Sequence, residues 1–296
     1  MKHKSVWATL LCLAAFVILM VAAAPAGAII GGQQDAKNTY SNVGVISVIY
    51  HDGEGGEWWD LGGSCTVVEN DAGGTVVMTA AHCVDYVVAE GGVGIENMRV
   101  SFDPLLSHVG GTPVPGSYSI TRYAIHATYL AALATTPYLG NAKMFGIGPG
   151  REDVALLWLD RGVPGGVEAC APIAGAGYVN ELDLRSARFT VVGYGLNGFI
   201  TGSFRAGRNP MLAVRWSGRN FKDVGVLTEH DAFGDRYLKV TECTAFGDSG
   251  GPTFHDGKVI AVTVWGGSSR CVGPAYQYRL DTASAQGFLR SHGIIQ

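Results

Sequence analysis

The sequence is poor in charged residues and has no excess of basic ones. Lysine and arginine number 21 against 25 aspartates and glutamates, and charged residues make up 16% of the 296. The net charge of −4 argues against a nucleic-acid-binding protein, because such proteins usually present a basic surface. Hydrophobic residues make up 47%, which argues against a disordered chain and allows a sizeable core.

The sequence also lacks a coiled-coil heptad, an internal repeat and a convincing metal-ligand cluster, and its long apolar run lies at the start. Lys2 and Lys4 precede an apolar stretch from Val6 to Ala24, followed by the small residues Ala26-Gly27-Ala28. This is the order of a signal peptide (1–28), cleaved after Ala28. An uncleaved anchor is the alternative, because about 19 apolar residues nearly span a bilayer. We expect a secreted, extracellular protein without stable membrane association after cleavage.

Cysteine is scarce. The chain has six, and Cys12 would leave with the signal peptide. The others are Cys65, Cys83, Cys170, Cys243 and Cys271. Export permits disulfides, but an odd number of cysteines leaves at least one without a partner in the chain.

Glycine, in contrast, is abundant at 43 residues, which favours tight turns and short strands over long helices. Runs rich in Val and Ile predict strands at Val43–Tyr50, Thr75–Thr79, Val154–Leu159, Arg188–Val192 and Val259–Trp265. The fold class is therefore all-β. One helix is predicted over Thr282–Ser291, capped by Asp281.

Soft, small-residue segments suggest how the chain divides. Gly165–Gly177 is rich in Ala and Gly, so we place a boundary there, between an N-terminal unit (29–165) and a C-terminal unit (166–296). The stretch 103–150 is spotted with Gly and Pro and is interpreted as a long surface loop around one short strand.

Three short motifs carry chemistry: Thr79-Ala80-Ala81-His82-Cys83, Asp153-Val154-Ala155-Leu156-Leu157 and Gly247-Asp248-Ser249-Gly250-Gly251-Pro252. A serine hydroxyl needs a base within hydrogen-bond reach to act as a nucleophile, and histidine suits that role. The histidine in turn needs a carboxylate to orient it, and the reaction needs N–H donors for a developing oxyanion. Together the motifs supply all of these groups, with no cofactor.

These motifs resemble those of the trypsin-like (chymotrypsin-fold) serine peptidases, as do "IIGG", "VVGYG" and "VTVWGG". The resemblance covers essentially all of the chain after the signal peptide. It implies two packed six-stranded antiparallel β-barrels with a C-terminal helix, and polypeptide substrates. It also implies a catalytic triad of His82, Asp153 and Ser249, with the amides of Gly247 and Ser249 as the oxyanion hole.

The resemblance gives the segment "AGAIIGG" a meaning. In this family the new amino terminus folds inward and pairs with the aspartate before the nucleophile, which implies an activation salt bridge between Ile29 and Asp248. Relatives usually hide this terminus behind a propeptide that ends in a basic residue, but here Ala28 precedes Ile29 directly. We expect signal-peptide removal itself to activate the protein. Cleavage after Ala24, which would leave a short propeptide, is the alternative.

The substrate pocket departs from the family pattern. We expect its residues to be Thr241, Glu242, Cys243, Trp265 and Gly266, with Tyr276 or Tyr278 narrowing it from the opposite wall. The floor position falls near Thr241 or Glu242, where no aspartate stands, so we expect an apolar or small residue before the scissile bond. Glu242 as a counter-charge for Arg or Lys is the alternative.

The resemblance also implies two disulfides, and the sequence departs from the family pattern at some of the positions concerned. Cys243 and Cys271 match the pair that staples the pocket, although Cys243 lies two residues farther from the serine than usual. Cys65 is expected to bridge to Cys83, or else to be a small buried residue. Val264 stands where relatives often carry a serine that supports the triad aspartate.

Two other functions compete with a serine peptidase. The segment around Ser249 also fits the G-x-S-x-G elbow of α/β-hydrolases, but the alternation of strands and helices that this fold needs is missing. A catalytically weak or inactive trypsin-like binding protein is the second alternative, and the three intact motifs argue against it.

Overall fold

A computed structural model describes residues 29, 31–51, 57–71, 74–85, 88, 94–105, 116–135, 151–163, 170–197, 215–216, 218–227, 234–242, 244–266 and 273–296. The signal peptide predicted over 1–28 lies outside these residues. Among the helices that are described, none combines the length and the apolar character needed to cross a membrane.

The described elements are mostly strands, which confirms the all-β class. In chain order the strands are β1 (Gln33–Gln34), β2 (Val43–His51), β3 (Glu57–Asp71), β4 (Gly74–Thr79), β5 (Met98–Ser101), β6 (Tyr118–Ile125), β7 (Ala155–Leu159), β8 (Phe189–Gly193), β9 (Leu196–Asn197), β10 (Arg215–Trp216), β11 (Asn220–Val224), β12 (Val226–Leu227), β13 (Tyr237–Val240), β14 (Pro252–His255), β15 (Lys258–Gly266) and β16 (Ala275–Arg279). The α-helices are α1 (Ala81–Asp85), α2 (Ala127–Thr135) and α3 (Ala283–Ser291). Short 3-10 helices lie at Ile95–Asn97, Tyr178–Glu181 and Gly234–Arg236.

Six strands close into an antiparallel barrel in the order β2-β3-β4-β7-β6-β5. Successive side chains of a strand point to opposite faces, and both faces of β4 and β7 are buried. Val77 and Leu157 pack inside the barrel, whereas Met78 and Leu156 pack into a core shared with the C-terminal half. This explains why the two strands have continuous apolar sequences, and it seats the barrel against the rest of the molecule.

The other large sheet is a curled half-barrel of eight strands, in the order β1-β11-β8-β14-β15-β16-β13-β12. Its inner face packs a core around Ile29, Val191, Ile260 and Ala275. The chymotrypsin-like arrangement expected from the sequence is therefore present, as a closed barrel beside a curled sheet. The division at 165/166 stays a prediction, because residues 164–169 lie outside the described part of the chain.

The amino-terminal segment is held to the second sheet by a buried ion pair. Strand β1 pairs with β11, and Arg219 Nε lies 2.9 Å from Asp35 Oδ2, with both side chains essentially unexposed. The Arg219 guanidinium also donates to the carbonyl of Val43 and to Asn38 Oδ1. These contacts fix the chain a few residues after Ile29.

Replacing Asp35 with alanine is expected to lower the free energy of unfolding by about 3–5 kcal/mol, because it strands the buried Arg219 charge. Urea denaturation measures the loss. Asp160→Ala is the matched control, because the ion pair of Asp160 with Arg161 is much more exposed, and such pairs contribute about 0–1 kcal/mol. Equal losses in the two variants would contradict the assignment.

The C-terminal helix is present, but its predicted cap is wrong. The helix begins at Ala283, and the Thr282 hydroxyl accepts the Ala285 N–H at 3.2 Å. Asp281 instead accepts the Val179 N–H and pairs with Arg279 at 2.8 Å. Thr282 is the next residue and equally suited to capping, so local sequence could not separate the two.

The stretch predicted as a long loop, 103–150, is only partly irregular. It contains the barrel strand β6, which agrees with the first part of the predicted strand segment "ITRYAIHATYL", but the end of that segment belongs to the helix α2, which was not predicted. Residues 106–115 and 136–150 of this stretch lie outside the described ranges.

Candidate active site

His82 and Asp153 meet at one end of the barrel. His82 lies in α1, directly after β4, and Asp153 lies just before β7, the strand that pairs with β4. His82 Nδ1 is 2.8 Å from Asp153 Oδ2, and the His82 backbone N–H donates to Asp153 Oδ1 at 3.0 Å. Two bonds to one fully buried carboxylate fix the imidazole ring.

The carboxylate also changes the basicity of the ring. Burial disfavours the imidazolium and is the largest single effect, but the Asp153 carboxylate and Cys83 together outweigh it. The pKa of His82 is therefore raised well above its usual value of 6.5. A histidine held in this way is a stronger base than a free one.

Ser249 lies in the loop before β14, and strand β3 brings this loop to His82. The Ser64 N–H donates to the Ser249 carbonyl oxygen at 2.7 Å. Both that oxygen and Cys83 Sγ lie against the α-carbon of Gly63, where any side chain would collide with them. The segments that carry His82 and Ser249 therefore meet across Gly63. No hydrogen bond joins His82 to the Ser249 hydroxyl in the structure, although both residues belong to its described part.

The backbone beside Ser249 leaves two N–H groups available. Gly247 has φ +95° and Gly250 has φ +84°, a left-handed conformation that favours glycine. Among the described residues, the amides of Gly247 and Ser249 have no hydrogen-bond partner, whereas those of Asp248, Gly250 and Gly251 are all bonded to carbonyl oxygens. Two unpaired amides in one short loop, here separated by one residue, are the arrangement that binds an oxyanion.

Sequence reasoning missed Ser64, which sets this loop. Its hydroxyl donates to the Gly247 carbonyl oxygen at 2.7 Å and accepts the Tyr194 N–H at 2.9 Å. The first bond ties the Gly247 peptide to strand β3 of the barrel. The small residue in "GGSC" was the available signal, but the sequence did not identify its partners, because they lie far along the chain.

Asp248 is fully buried beneath this loop. Its carboxylate accepts the Gly195 N–H at 2.8 Å and the Ala245 N–H at 2.7 Å. Burial nevertheless raises the pKa of Asp248 to about 7, because no cation among the described residues neutralises it. Ile29 is buried in the core of the same sheet, together with Val191 on β8, two residues from the Gly193 that lies against Asp248.

The predicted pocket residues separate into two groups. Trp265 and Gly266 end β15, and Trp265 stacks on Tyr276 with ring centroids 5.0 Å apart. Thr241 is exposed and Glu242 half-exposed instead: the Thr241 hydroxyl accepts the Gly225 N–H, and Glu242 pairs with Lys222 at 3.0 Å.

The carboxylate of Glu242 is thus already paired at the surface, which removes the support for it as a counter-charge in the pocket. Tyr278 also turns away from the pocket: it is buried in the shared core and donates to the carboxylate of Glu152. Of the two tyrosines suggested for the opposite wall, only Tyr276 contacts a predicted pocket residue.

The predicted bridge between Cys65 and Cys83 is wrong, because both thiols are free. Cys83 Sγ stands over Gly63, and Cys65 lies two residues farther along β3, about 6.6 Å away at the usual rise of a strand. A disulfide needs the two β-carbons within about 4.5 Å. Cys65 is therefore the small buried residue of the alternative, and burial raises the pKa of its thiol.

The remaining cysteines after the signal peptide are Cys170, Cys243 and Cys271. Cys170 is also free, and it lies at the edge of a surface cavity of about 950 Å³ that contains none of the predicted site residues. Cys243 and Cys271 lie outside the described residues, so their pairing stays a prediction. Val264 is buried in the shared core, and the described hydrogen bonds to the Asp153 carboxylate come from His82. Among the described residues no group of three or more potential metal ligands is present.

A closed barrel packed beside a curled antiparallel sheet, with a His–Asp pair and a glycine-flanked serine brought together across Gly63, defines the chymotrypsin-like class of proteins. Sequence comparison gives the same answer. The family Trypsin matches residues 60–284, and the chain belongs to this family. No curated protein matches the chain.

Solved structures with this fold include both enzymes and inactive proteins. The chain resembles the HL collagenase (14% identity, TM-score 0.56, covering 90% of this chain and 100% of that one). It also resembles human heparin binding protein (16% identity, TM-score 0.54, covering 89% and 96%). A third is the scabies mite inactivated protease paralogue S-I1 (14% identity, TM-score 0.54, covering 88% and 97%). At these identities the likeness concerns the fold.

Proposed function

We propose that this protein is a secreted serine endopeptidase that hydrolyses peptide bonds through an acyl-enzyme intermediate. The observation that carries the proposal is the fixed pair of His82 and Asp153, 2.8 Å apart, beside a serine loop with two unpaired amides. A protein that only binds a partner needs neither an oriented base such as His82 nor two unpaired amides beside a serine.

The proposed mechanism uses the described groups in order. Ser249 Oγ attacks the carbonyl carbon of the substrate while its proton passes to His82 Nε2, and the amides of Gly247 and Ser249 bind the resulting oxyanion. Asp153 holds the ring so that Nδ1 keeps its proton, and it stabilises the imidazolium. His82 then gives the proton to the leaving amine, and water repeats the sequence to release the acyl group.

Export and activation complete the proposal. Removal of residues 1–28 frees the amino group of Ile29, which pairs with Asp248, so that no separate propeptide has to be cut. A disulfide between Cys243 and Cys271 belongs to the same exported form. The fold supports polypeptides as substrates, because the trypsin family acts on them.

A fluorophosphonate probe reacts with activated serines. It therefore distinguishes an active peptidase from a catalytically inactive binding protein with the same fold. The second candidate function is a binding protein, since human heparin binding protein and an inactivated protease paralogue share the fold. Labelling at Ser249 together with cleavage of a peptide library supports the enzyme. Failure of both in folded protein that begins at Ile29 supports the binding protein.

A further inference from the structure

Gln277 on β16 carries a buried amide nitrogen that the fold leaves unsatisfied. Its side chain is fully buried, and its Oε1 accepts from Thr253 Oγ1 at 2.9 Å and from Thr263 Oγ1 at 2.7 Å. Its Nε2 has no hydrogen-bond partner among the described residues. Buried polar groups are rarely left unpaired, so this pair of N–H donors needs an explanation.

The orientation of the amide follows from its neighbours. As it stands, both threonine hydroxyls donate to Oε1, which has two lone pairs, and only the two N–H donors remain unpaired. The reverse orientation would leave two hydroxyl protons and the amide oxygen without described partners. The unpaired atom, Gln277 Nε2, is therefore a hydrogen-bond donor, and the partner that would satisfy it is an acceptor oxygen.

The amide lies directly behind the Ser249 loop. Thr263 is the partner of Gln277 across β15 and β16. The Thr263 carbonyl oxygen accepts the Gly250 N–H at 2.7 Å, and the Thr263 N–H donates to the Gly251 carbonyl oxygen at 2.8 Å. The two glycines that follow Ser249 are thus bonded to the residue that holds the amide.

The strand register places the amide on the same face of β16 as Ala275. Side chains alternate along β16, so Gln277 and Ala275 point to the inner face of the curled sheet, opposite to Tyr276 and Tyr278, which pack on the shared core. Ala275 is the partner of Gly266, the pocket residue that the sequence predicted. The unpaired donors therefore lie two residues along the strand from the partner of Gly266, on the same face.

We propose that the Gln277 amide forms the polar end of the pocket for the side chain before the scissile bond. It selects a side chain that ends in an acceptor oxygen, glutamine or glutamate. This inference rests on the proposed peptidase function. It replaces the expectation of an apolar or small residue, which took no account of Gln277. Lysine and arginine are disfavoured, because their donors would face donors.

A panel of fluorogenic peptides with Gln, Glu, Leu or Lys before the scissile bond tests the inference, with kcat/KM expressed per fluorophosphonate-labelled site. We expect the better of Gln and Glu to exceed Leu and Lys by about 10- to 100-fold, because an apolar side chain leaves the donors unpaired. The Gln and Glu peptides separate a neutral acceptor from a charged one.

The variant Gln277→Glu sharpens the test. It keeps an acceptor for the two threonine hydroxyls but replaces the N–H donors with a carboxylate oxygen, so Lys should become the best substrate. Gln286→Met is the matched control. Gln286 is also buried, but its Nε2 is satisfied by the carbonyl oxygens of Ala174 and Leu280. This variant should lose stability and keep the wild-type ranking of substrates.

The outcomes separate the two proposals. Labelled wild-type enzyme that prefers Leu or Lys overturns the inference and leaves the peptidase intact, and this holds even if the Gln277→Glu variant does not fold. A folded Gln277→Glu variant with the wild-type ranking overturns it as well. A wild-type protein that neither labels nor cleaves overturns the proposed function, and the inference with it.

Discussion

Replacing Ser249 with alanine is expected to lower kcat on a peptide substrate by about a million-fold, the loss typical of removing the nucleophile of such a triad. The fold should be unaffected, because the described structural contact of Ser249 is made by its backbone carbonyl oxygen with Ser64 N–H, and alanine keeps it. Fluorogenic peptide hydrolysis measures the effect, and urea denaturation checks the fold.

Ser186→Ala is the matched control. Ser186 is exposed, and its hydroxyl bonds locally to Asp183. This variant should retain wild-type activity. Near wild-type turnover by a clean preparation of Ser249→Ala would refute the assignment of the nucleophile, whereas equal inactivity of wild type and variant would favour the binding protein.

The sequence predicted those features of the molecule that short segments encode. His82, Asp153 and Ser249 each stand in a motif that specifies its neighbours, and the apolar runs around them predict strands that the structure contains, among them β2, β4 and β7. The all-β class followed from the same runs and from the many glycines. That His82 and Asp153 act together came from the family resemblance, whereas the pairing of β4 with β7 that brings them together is seen only in the structure.

What the sequence did not predict depends on partners far along the chain. Arg219 pairs with Asp35 across 184 positions, and the Ser64 hydroxyl reaches Gly247 across 183. Cys65 does not bridge to Cys83 because the residue of β3 that faces Cys83 is Gly63, two residues before Cys65. Only the fold shows this displacement. Gln277 went unnoticed because an isolated glutamine in a strand gives no sign of being buried without a partner.

The buried carboxylate of Asp248 should make both stability and activity sensitive to changes at the amino terminus. A carboxyl whose folded pKa is raised from 3.8 to about 7 binds more protons folded than unfolded between these values. Its burial therefore costs stability progressively as the pH rises from about 4 to about 7, by about 4 kcal/mol in all. A paired ammonium group would remove this cost, up to the pH near 8 where a free amino terminus loses its proton.

One alanine inserted before Ile29 is expected to lower kcat by about 10²–10³-fold, the loss typical of removing one oxyanion donor. The insertion moves the ammonium by up to about 3.5 Å along an extended chain. The Asp248 charge would then remain unpaired, and the Gly247 amide beside it would lose its fixed position. Protein released from a fusion with either start, assayed on one fluorogenic peptide, gives the comparison.

The pH dependence of the stability difference between the two forms shows whether the insertion breaks an ion pair with Asp248 or only disturbs the packing of the amino terminus. The extended form should be less stable in urea than the Ile29 form at pH 7, by about 3–5 kcal/mol, and the gap should close toward pH 4, because the unpaired Asp248 of the extended form takes up a proton there. Ile29→Val is the control, because it keeps the ammonium in place and should keep both activity and the pH profile. Fully active secreted protein that begins upstream of Ile29, or a stability gap that does not change with pH, would show that Asp248 has no partner at the amino terminus.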